Sequence, residues 1–379
     1  MAPPPRPKGP PPKRKKGPPE ASEDALASRS RGALLGFAVG DALGTTWEGR
    51  KFSAELFPKL NDGPQTEMKG GGPWQVKRGQ VTEDTQQATC VAIALKNLRQ
   101  YDVLETAKEY NRWLEHAFDC PPSLRAALAL VKDGRHPEFT GKRVWLEGGQ
   151  KLRDNGAMMR CVPLAVFFRW DQAARLSATM QDAQISHFTP VCQLANVIVN
   201  AIIAAAITTP AEKLDKVNAM KAIEADLSIG ASQLGRMIPD WVLQVKDASD
   251  WLREDIKASQ ADDPLLYGPE LHLLNYDNWV RVTLRLALWE LWHAPTFEAA
   301  LLDVINRGGD ADTNAAVTGA IFGAIHGASA IPERWSQDVL EVNGQGPLFS
   351  KYHPRELLTL LQNLPEKPPK PPPPGAPKK

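Results

Sequence analysis

GGDADTNAAVTGAIFGAIHG, Gly308–Gly327, is the stretch from which the fold can be read. Its first half crowds two carboxylates, Asp310 and Asp312, a hydroxyl, Thr313, and an amide, Asn314, into a glycine-led turn. Its second half, from Ala315 onward, is apolar and reads as helix, so the acids stand at a helix N-terminus. Glycine recurs in that helix at four-residue spacing, at Gly319, Gly323 and Gly327. Mid-helix glycine costs up to ~1 kcal/mol relative to alanine, so its repetition predicts a close backbone approach. The same spacing marks Gly32, Gly36, Gly40 and Gly44 in RGALLGFAVGDALGTTWEGR, Arg31–Arg50. Both glycine helices adjoin acidic motifs and are expected to pack tightly at the centre, holding a site rigid. Small-residue helix seams also occur in membranes, but neither run is long or apolar enough for that.

Hard oxygen donors gathered this closely repel one another unless a cation neutralises them, and Mg²⁺ or Mn²⁺ suits them. Helix capping is the simpler account of any one such residue. Capping asks for one, however, not four. The EF-hand pattern is missing, since Ala315 stands at loop position 6 and Ile321 at position 12. A second cluster of the same design lies far upstream in VTEDTQQATCVAIAL, Val81–Leu95, where Thr82, Glu83, Asp84 and Thr85 precede another apolar run. Together the two predict acids converging on a pair of ions ~3.5–4 Å apart.

Elsewhere apolar residues recur at helical spacing, as in LETAKEYNRWLEHAF, LANVIVNAIIAAAI and VTLRLALWELWHA, and alternating strand patterns are nearly absent. The expected class is all-α, a single compact domain over residues 23–364, because motifs at its two ends must meet. Residues 1–22 and 365–379 are a different polymer, with seventeen of the 33 prolines and net charges of +5 and +3. They are expected to be disordered or polyproline II. A chain of net charge +1 is thus an acidic body of −7 between two basic arms. The arms suit either solubilising spacers or contact with an acidic surface, nucleic acid or a proline-binding module. No aromatics interleave their cations, which argues against base stacking on nucleic acid. The four cysteines, without a C-x-x-C, are expected to be reduced and buried. No signal peptide is expected from an N-terminus lacking an apolar h-region. The most hydrophobic run, Val197–Ile207, is about half of a ~20-residue span. The cytoplasm, without a membrane, is the expected address. G-x-S-x-G, Walker, G-x-G-x-x-G and zinc-type histidine spacings are missing.

Five stretches, in order, resemble those of the ADP-ribosylglycohydrolases, a family that includes the dinitrogenase-reductase-activating glycohydrolase and the ADP-ribosylarginine hydrolases. RGALLGFAVGDALGTTWEGR is similar to the opening helix with its GD-x-x-G, TEDT to T-D-D-T, and DNGAMMR, Asp154–Arg160, to the S-N-G-A-x-M-R loop. ISHFTP, Ile185–Pro190, resembles the Thr/Ser-His segment, and GGDADTNAA the G-G-D-x-D-T-N signature. The resemblance implies two Mg²⁺ ions (Mn²⁺ as the alternative), one held by Thr82, Glu83, Asp84 and Asp312, the other by Asp310, Asp312 and Thr313. Glu48 would be a further ligand or a mobile lid carboxylate. Asn155, Gly156, Ala157 and Met158 would line the ADP-ribose cleft with backbone amides toward phosphate, and His187 would contact ribose or phosphates. Bland alternatives stand beside these: a buried histidine at 187, a surface acid at 48, a core ion pair at Arg160. Glu83 for the usual Asp, and Asp154 for the usual Ser, depart from the pattern.

The implied reaction removes ADP-ribose from a modified protein side chain, most readily arginine, through an oxocarbenium-like state. A carboxylate of Glu83 or Asp84, or Glu48, would be the catalytic base. The alternative is a non-catalytic module that binds ADP-ribosylated protein or an ADP-ribosyltransferase. Some bacterial relatives are immunity proteins against ADP-ribosyltransferase toxins, so such a toxin is a conceivable partner. The expected state is a monomer.

Overall fold

The computed structural model describes residues 22–50, 65–210, 216–261 and 278–368. The proline-rich arms expected at 1–22 and 365–379 therefore lie, except for Ser22 and residues 365–368, outside the described residues. The described chain forms α1 (Glu23–Gly44), α2 (Glu83–Leu98), α3 (Val103–Leu114), α4 (Pro122–Lys132) and α5 (Pro137–Glu147). There follow α6 (Val162–Phe167), α7 (Gln172–Gln184), α8 (Pro190–Thr208), α9 (Lys216–Met237) and α10 (Val242–Ala258). The last group is α11 (Val280–His293), α12 (Phe297–Arg307), α13 (Ala311–His326), α14 (Glu333–Glu341) and α15 (Pro354–Leu358). Among the described residues the only β pairings are the isolated bridges Gly71–Val76 and Asp154–Trp279. The chain is all-α, as its periodicity predicts.

Ser22 caps α1 by accepting the Ala25 N–H at 3.3 Å, and the helix then runs through the middle of the molecule. From Gly32 to Gly44 every residue of α1 is buried, so it has no polar stripe to turn toward water. It lies against α13, also buried from Ala311 to Ala324. A methyl placed on Gly32 would come within 2.1 Å of the Gly323 carbonyl oxygen, and one on Gly36 within 2.3 Å of the Gly319 oxygen. Gly40 stands in the same relation to Ala315 (2.0 Å) and Gly44 to Ala311 (2.3 Å). The partner number falls by four as the α1 number rises by four, so the helices are antiparallel with backbones in contact. The contact carries the end of α1 to the start of α13.

Around this pair α11, α12 and α8 pack against α13, while α14 and α15 lie on α1. By length and composition α8 is apolar enough to cross a bilayer, longer than its central run suggests, yet 89 % of that stretch is buried inside the protein. It serves as the core wall on which α6, α7, α9 and α10 pack. Buried ion pairs fasten the outer helices: Arg175 to Asp226 at 2.9 Å, and Arg281 with Arg285 to Asp255. All four cysteines are buried and unpaired.

Two glycines separate the seam from ordinary helical glycine. Gly36→Ala should destabilise the fold by at least ~3 kcal/mol, because its methyl meets backbone that cannot swing aside. Gly235→Ala in α9, with open space around the new methyl, should instead stabilise by up to ~1 kcal/mol. Thermal unfolding of both variants decides. A seam variant as stable as the wild type would mean that the helices are not in backbone contact.

Candidate functional site

The helix seam sets Asp41 of α1 beside the N-terminus of α2. The carboxylate of Asp41, wholly buried, accepts the Thr82 N–H at 2.9 Å, the Thr82 hydroxyl at 2.9 Å and the Thr85 N–H at 3.0 Å. Asp41 thus caps α2 from another helix, and the Thr82 side chain makes no cap to its own helix. At α13 the Asp310 side chain likewise makes no cap; one of its oxygens accepts from Asn155 Nδ2 at 2.6 Å. Asp312 turns one oxygen to the next N–H, that of Thr313, at 2.9 Å, and the other stands 3.5 Å from the Thr82 hydroxyl. Helix capping is therefore not what gathers Thr82, Glu83, Asp84, Asp310 and Asp312.

Glu83, Asp84 and Asp312 are all buried. Burial, then neighbouring carboxylates, pushes each well above the ordinary carboxylate range; the neighbour is Asp84 for Glu83, Asp41 for Asp84 and Glu48 for Asp312. Asp84 Oδ1, Asp84 Oδ2 and Glu83 Oε2 are sealed from solvent without a hydrogen-bond partner. The Thr313 hydroxyl lies near enough to favour the Asp84 anion, though outside hydrogen-bonding geometry. Buried charge left unpaired costs several kcal/mol. Such orphaned oxygens, with threonine hydroxyls between them, fit a hard divalent cation. Among the described residues no three Asp, Glu, His or Cys side chains already close around one point as a finished cage. The chemistry of the donors fits better than their present spacing.

Above the acids opens a cavity of about 420 Å³, lined by Glu48, Glu83, Asp119, Asp154 and Asp310 among others, and by no lysine, arginine or histidine among the described residues. Glu48 arrives on the turn after α1, where Gly49 N–H bonds to the Gly309 carbonyl at 2.7 Å and Gly309 N–H to the Arg50 carbonyl at 2.8 Å. This pairing stitches the turn to the acidic loop. The Trp74 indole donates to Glu48 Oε2 at 3.0 Å. Burial, with the charges of Asp310 and Asp119, pushes Glu48 up to about 7.

Of the loop residues, Asn155 and Gly156 line the cavity, whereas Ala157 and Met158 are packed behind it and Met159 reaches it instead. The amides here are partly committed: Gly156 N–H to Asp154 Oδ1 at 3.2 Å, Met158 N–H to the Asn155 carbonyl at 2.6 Å. His187 is fully buried behind the loop, one ring nitrogen 2.6 Å from Asp154 Oδ1 and the other 2.8 Å from Ser186 Oγ. It does not line the cavity, and it accounts for the unexpected acid: despite burial, the His187 charge and hydrogen bonds hold Asp154 below its usual range. Arg160 is a core residue, paired with Asp182 at 2.9 Å and bonded to the Gly156 carbonyl at 3.1 Å, so it fixes the loop from beneath.

Asp41 stands in the quoted GD-x-x-G stretch but was given no role by sequence, and Asp119 was not singled out. A charge inside the apolar run LLGFAVGDAL was the available signal for Asp41; Asp119, half-buried before Cys-Pro-Pro, carries no periodic signal at all.

The sequence profile of the ADP-ribosylglycohydrolases matches residues 22–368. An ADP-ribosylarginine hydrolase Tri1 of Pseudomonas putida strain GB-1 is 27 % identical over 330 residues, 84 % of this chain and 75 % of that protein. The ADP-ribosyl-[dinitrogen reductase] glycohydrolase of Rhodospirillum rubrum is 27 % identical over 308 residues, 81 % of this chain and 88 % of that one. A solved chain described as an ADP-ribosylglycohydrolase-related protein complex superposes with a TM-score of 0.63 at 27 % identity, covering 90 % of this chain and 99 % of its own.

The raised acids have a consequence for stability. A group with a folded pKa above its unfolded one contributes fully below the unfolded value and is lost as pH rises through the folded value. For Glu48 the window runs from the ordinary 4.5 to about 7. Chelator-treated protein should melt at progressively lower temperature as pH rises across that window, and Mg²⁺ should restore more at pH 8 than at pH 5. Melting temperatures insensitive to both pH and Mg²⁺ would remove the cation from the cluster.

Proposed function

Since the chain belongs to the ADP-ribosylglycohydrolase family, we propose that it hydrolyses the bond between ADP-ribose and an arginine side chain of a modified protein. The observation that carries the proposal is the convergence, at one cavity, of the buried Thr82, Asp84 and Asp312 with the cavity-lining Glu48, Glu83, Asp310 and Thr313. Arginine linkage is supported by the name of the Tri1 relative. It is also supported by the cavity itself, whose carboxylates, with no cationic side chain lining it among the described residues, suit a guanidinium.

Thr82, Glu83, Asp84, Asp310, Asp312 and Thr313 would hold divalent metal, Mg²⁺ by the hardness of the donors. When bound, such metal supplies neutralisation of the acids and a more acidic water. The chain's own groups do the rest. Asn155 bonds Asp310 with the same amide that reaches Thr283 at 2.9 Å, which fixes that carboxylate at the cavity edge. Glu48, facing the cavity near neutrality, is suited to take a proton from water as its oxygen bonds to C1″. The C1″–N bond breaks with its electron pair going to guanidine. The guanidine so released takes up the proton that Glu48 received from water, and the surrounding carboxylates keep it a guanidinium.

Release of ADP-ribose from an arginine-modified substrate, with and without Mg²⁺, tests the proposal. Asp312→Ala should lower kcat by at least ~10²-fold. Glu83→Asp, restoring the family's T-D-D-T, should stay within about tenfold of wild type, while Glu83→Gln, of equal length but uncharged, should cost far more. Near-normal turnover in Asp312→Ala would end the metal reading; small and equal effects at Glu83 would reduce that residue to a helix start.

A further inference from the structure

The reaction proposed above needs a protein, not only a nucleotide, against the cavity mouth. α4 and α5 enclose a second groove of about 390 Å³, lined by Leu130, Phe139, Leu146, Arg135, Lys142 and Arg143 among others. Phe139 is 65 % and Leu146 45 % exposed, large apolar side chains held in water beside cations. Single exposed hydrophobes are ordinary; two sharing one concave, positively rimmed surface have the composition of a protein contact.

The groove is fixed relative to the catalytic cavity. α5 leads within a few residues to Leu152, which lines that cavity. Its middle is pinned to the segment before His187: the Thr140 hydroxyl donates to the Ile185 carbonyl at 2.7 Å, and a methyl on Gly141 would meet the Gln184 carbonyl oxygen at 2.3 Å.

Charge selects the occupant. Among the described residues Arg135 has no carboxylate partner, Lys142 sits 5.5 Å over the Phe188 ring, and the one acid lining the groove, Glu147, is paired with Arg143. The cavity, by contrast, is lined by carboxylates. A substrate spanning both therefore offers its cationic, modified arginine to the cavity and its acidic residues to the groove. The chain's own arms, at +5 and +3, carry the wrong sign. We propose that the α4–α5 groove docks a segment of the ADP-ribosylated substrate protein in which apolar and acidic residues neighbour the modified arginine. The inference rests on the hydrolase reading above.

Three conjugates test it on the full chain: ADP-ribosyl-agmatine, and two peptides whose ADP-ribosylated arginine is flanked by Asp and Leu or by Lys and Ser. Wild-type protein should favour the Asp–Leu peptide over the Lys–Ser peptide by about tenfold or more in kcat/KM, mainly through KM. Arg135→Glu, and the pair Phe139→Ser with Leu146→Ser, should abolish that preference while agmatine turnover stays within about twofold of wild type. Equal use of both peptides by the wild type, unchanged preference in the variants, or parallel loss on agmatine would overturn the docking surface. If the wild type cleaves none of the three, the hydrolase reading itself fails, and the docking inference with it.

Discussion

The backbone contact between α1 and α13 is the constraint on which the site depends. Side chains ordinarily keep helix axes 8–10 Å apart, and a repeated glycine removes that spacer along one face. With Gly32, Gly36, Gly40 and Gly44 against Gly323, Gly319, Ala315 and Ala311, the two helices touch backbone to backbone in one antiparallel register. That register puts Asp41 and the turn bearing Glu48 beside Asp310 and Asp312, more than 260 residues away in the chain. A slip of one turn, about 5.4 Å, would separate the acids by more than any ligand distance.

The acids themselves work against folding. Glu83, Asp84 and Asp312 are buried together, and burial first, then the charges of nearby carboxylates, raises each of them. Native proteins tolerate such local cost where the surrounding structure over-determines it, typically at functional sites. Here the surroundings do so through Asp41, which satisfies the first amides of α2 from outside and leaves the residues of that turn free for another task. The substrate loop is built on the opposite plan. Arg160 and His187, both wholly buried, spend their hydrogen bonds holding Asp154, Gly156 and Ser186. Rigid support lies behind the loop, and Asn155, Gly156 and Met159 face the cavity.

Much of the site could be read in one dimension because its parts are short and local. A turn such as Gly308–Asn314 shows its donor chemistry within seven residues, and helical periodicity shows which way the following run is buried. The part that could not be read is the part made by distance in sequence. Whether Thr82 caps its own helix or is held by Asp41 depends on where α1 ends, and no local pattern records that. His187 looks the same in sequence whether it touches ligand or braces Asp154. Asp119 joins the cavity wall because the loop after α3 brings it near Glu83 at the start of α2, and Met159 rather than Met158 faces the cavity at the short turn Met158–Arg160.

By itself, then, the sequence determined an all-α chain, two glycine-striped helices, two acidic helix starts and their likeness to one family. Those follow from spacing, backbone propensity and the chemistry of neighbouring side chains, which the order of residues carries directly. Tertiary structure alone decided which acids are orphaned and which are paired, and that the two clusters share one cavity. It also decided that α4 and α5 enclose a basic, apolar groove distinct from the acidic cavity. Charge and desolvation act through space, so these outcomes depend on which distant segments the α1–α13 contact brings within a few ångströms of each other.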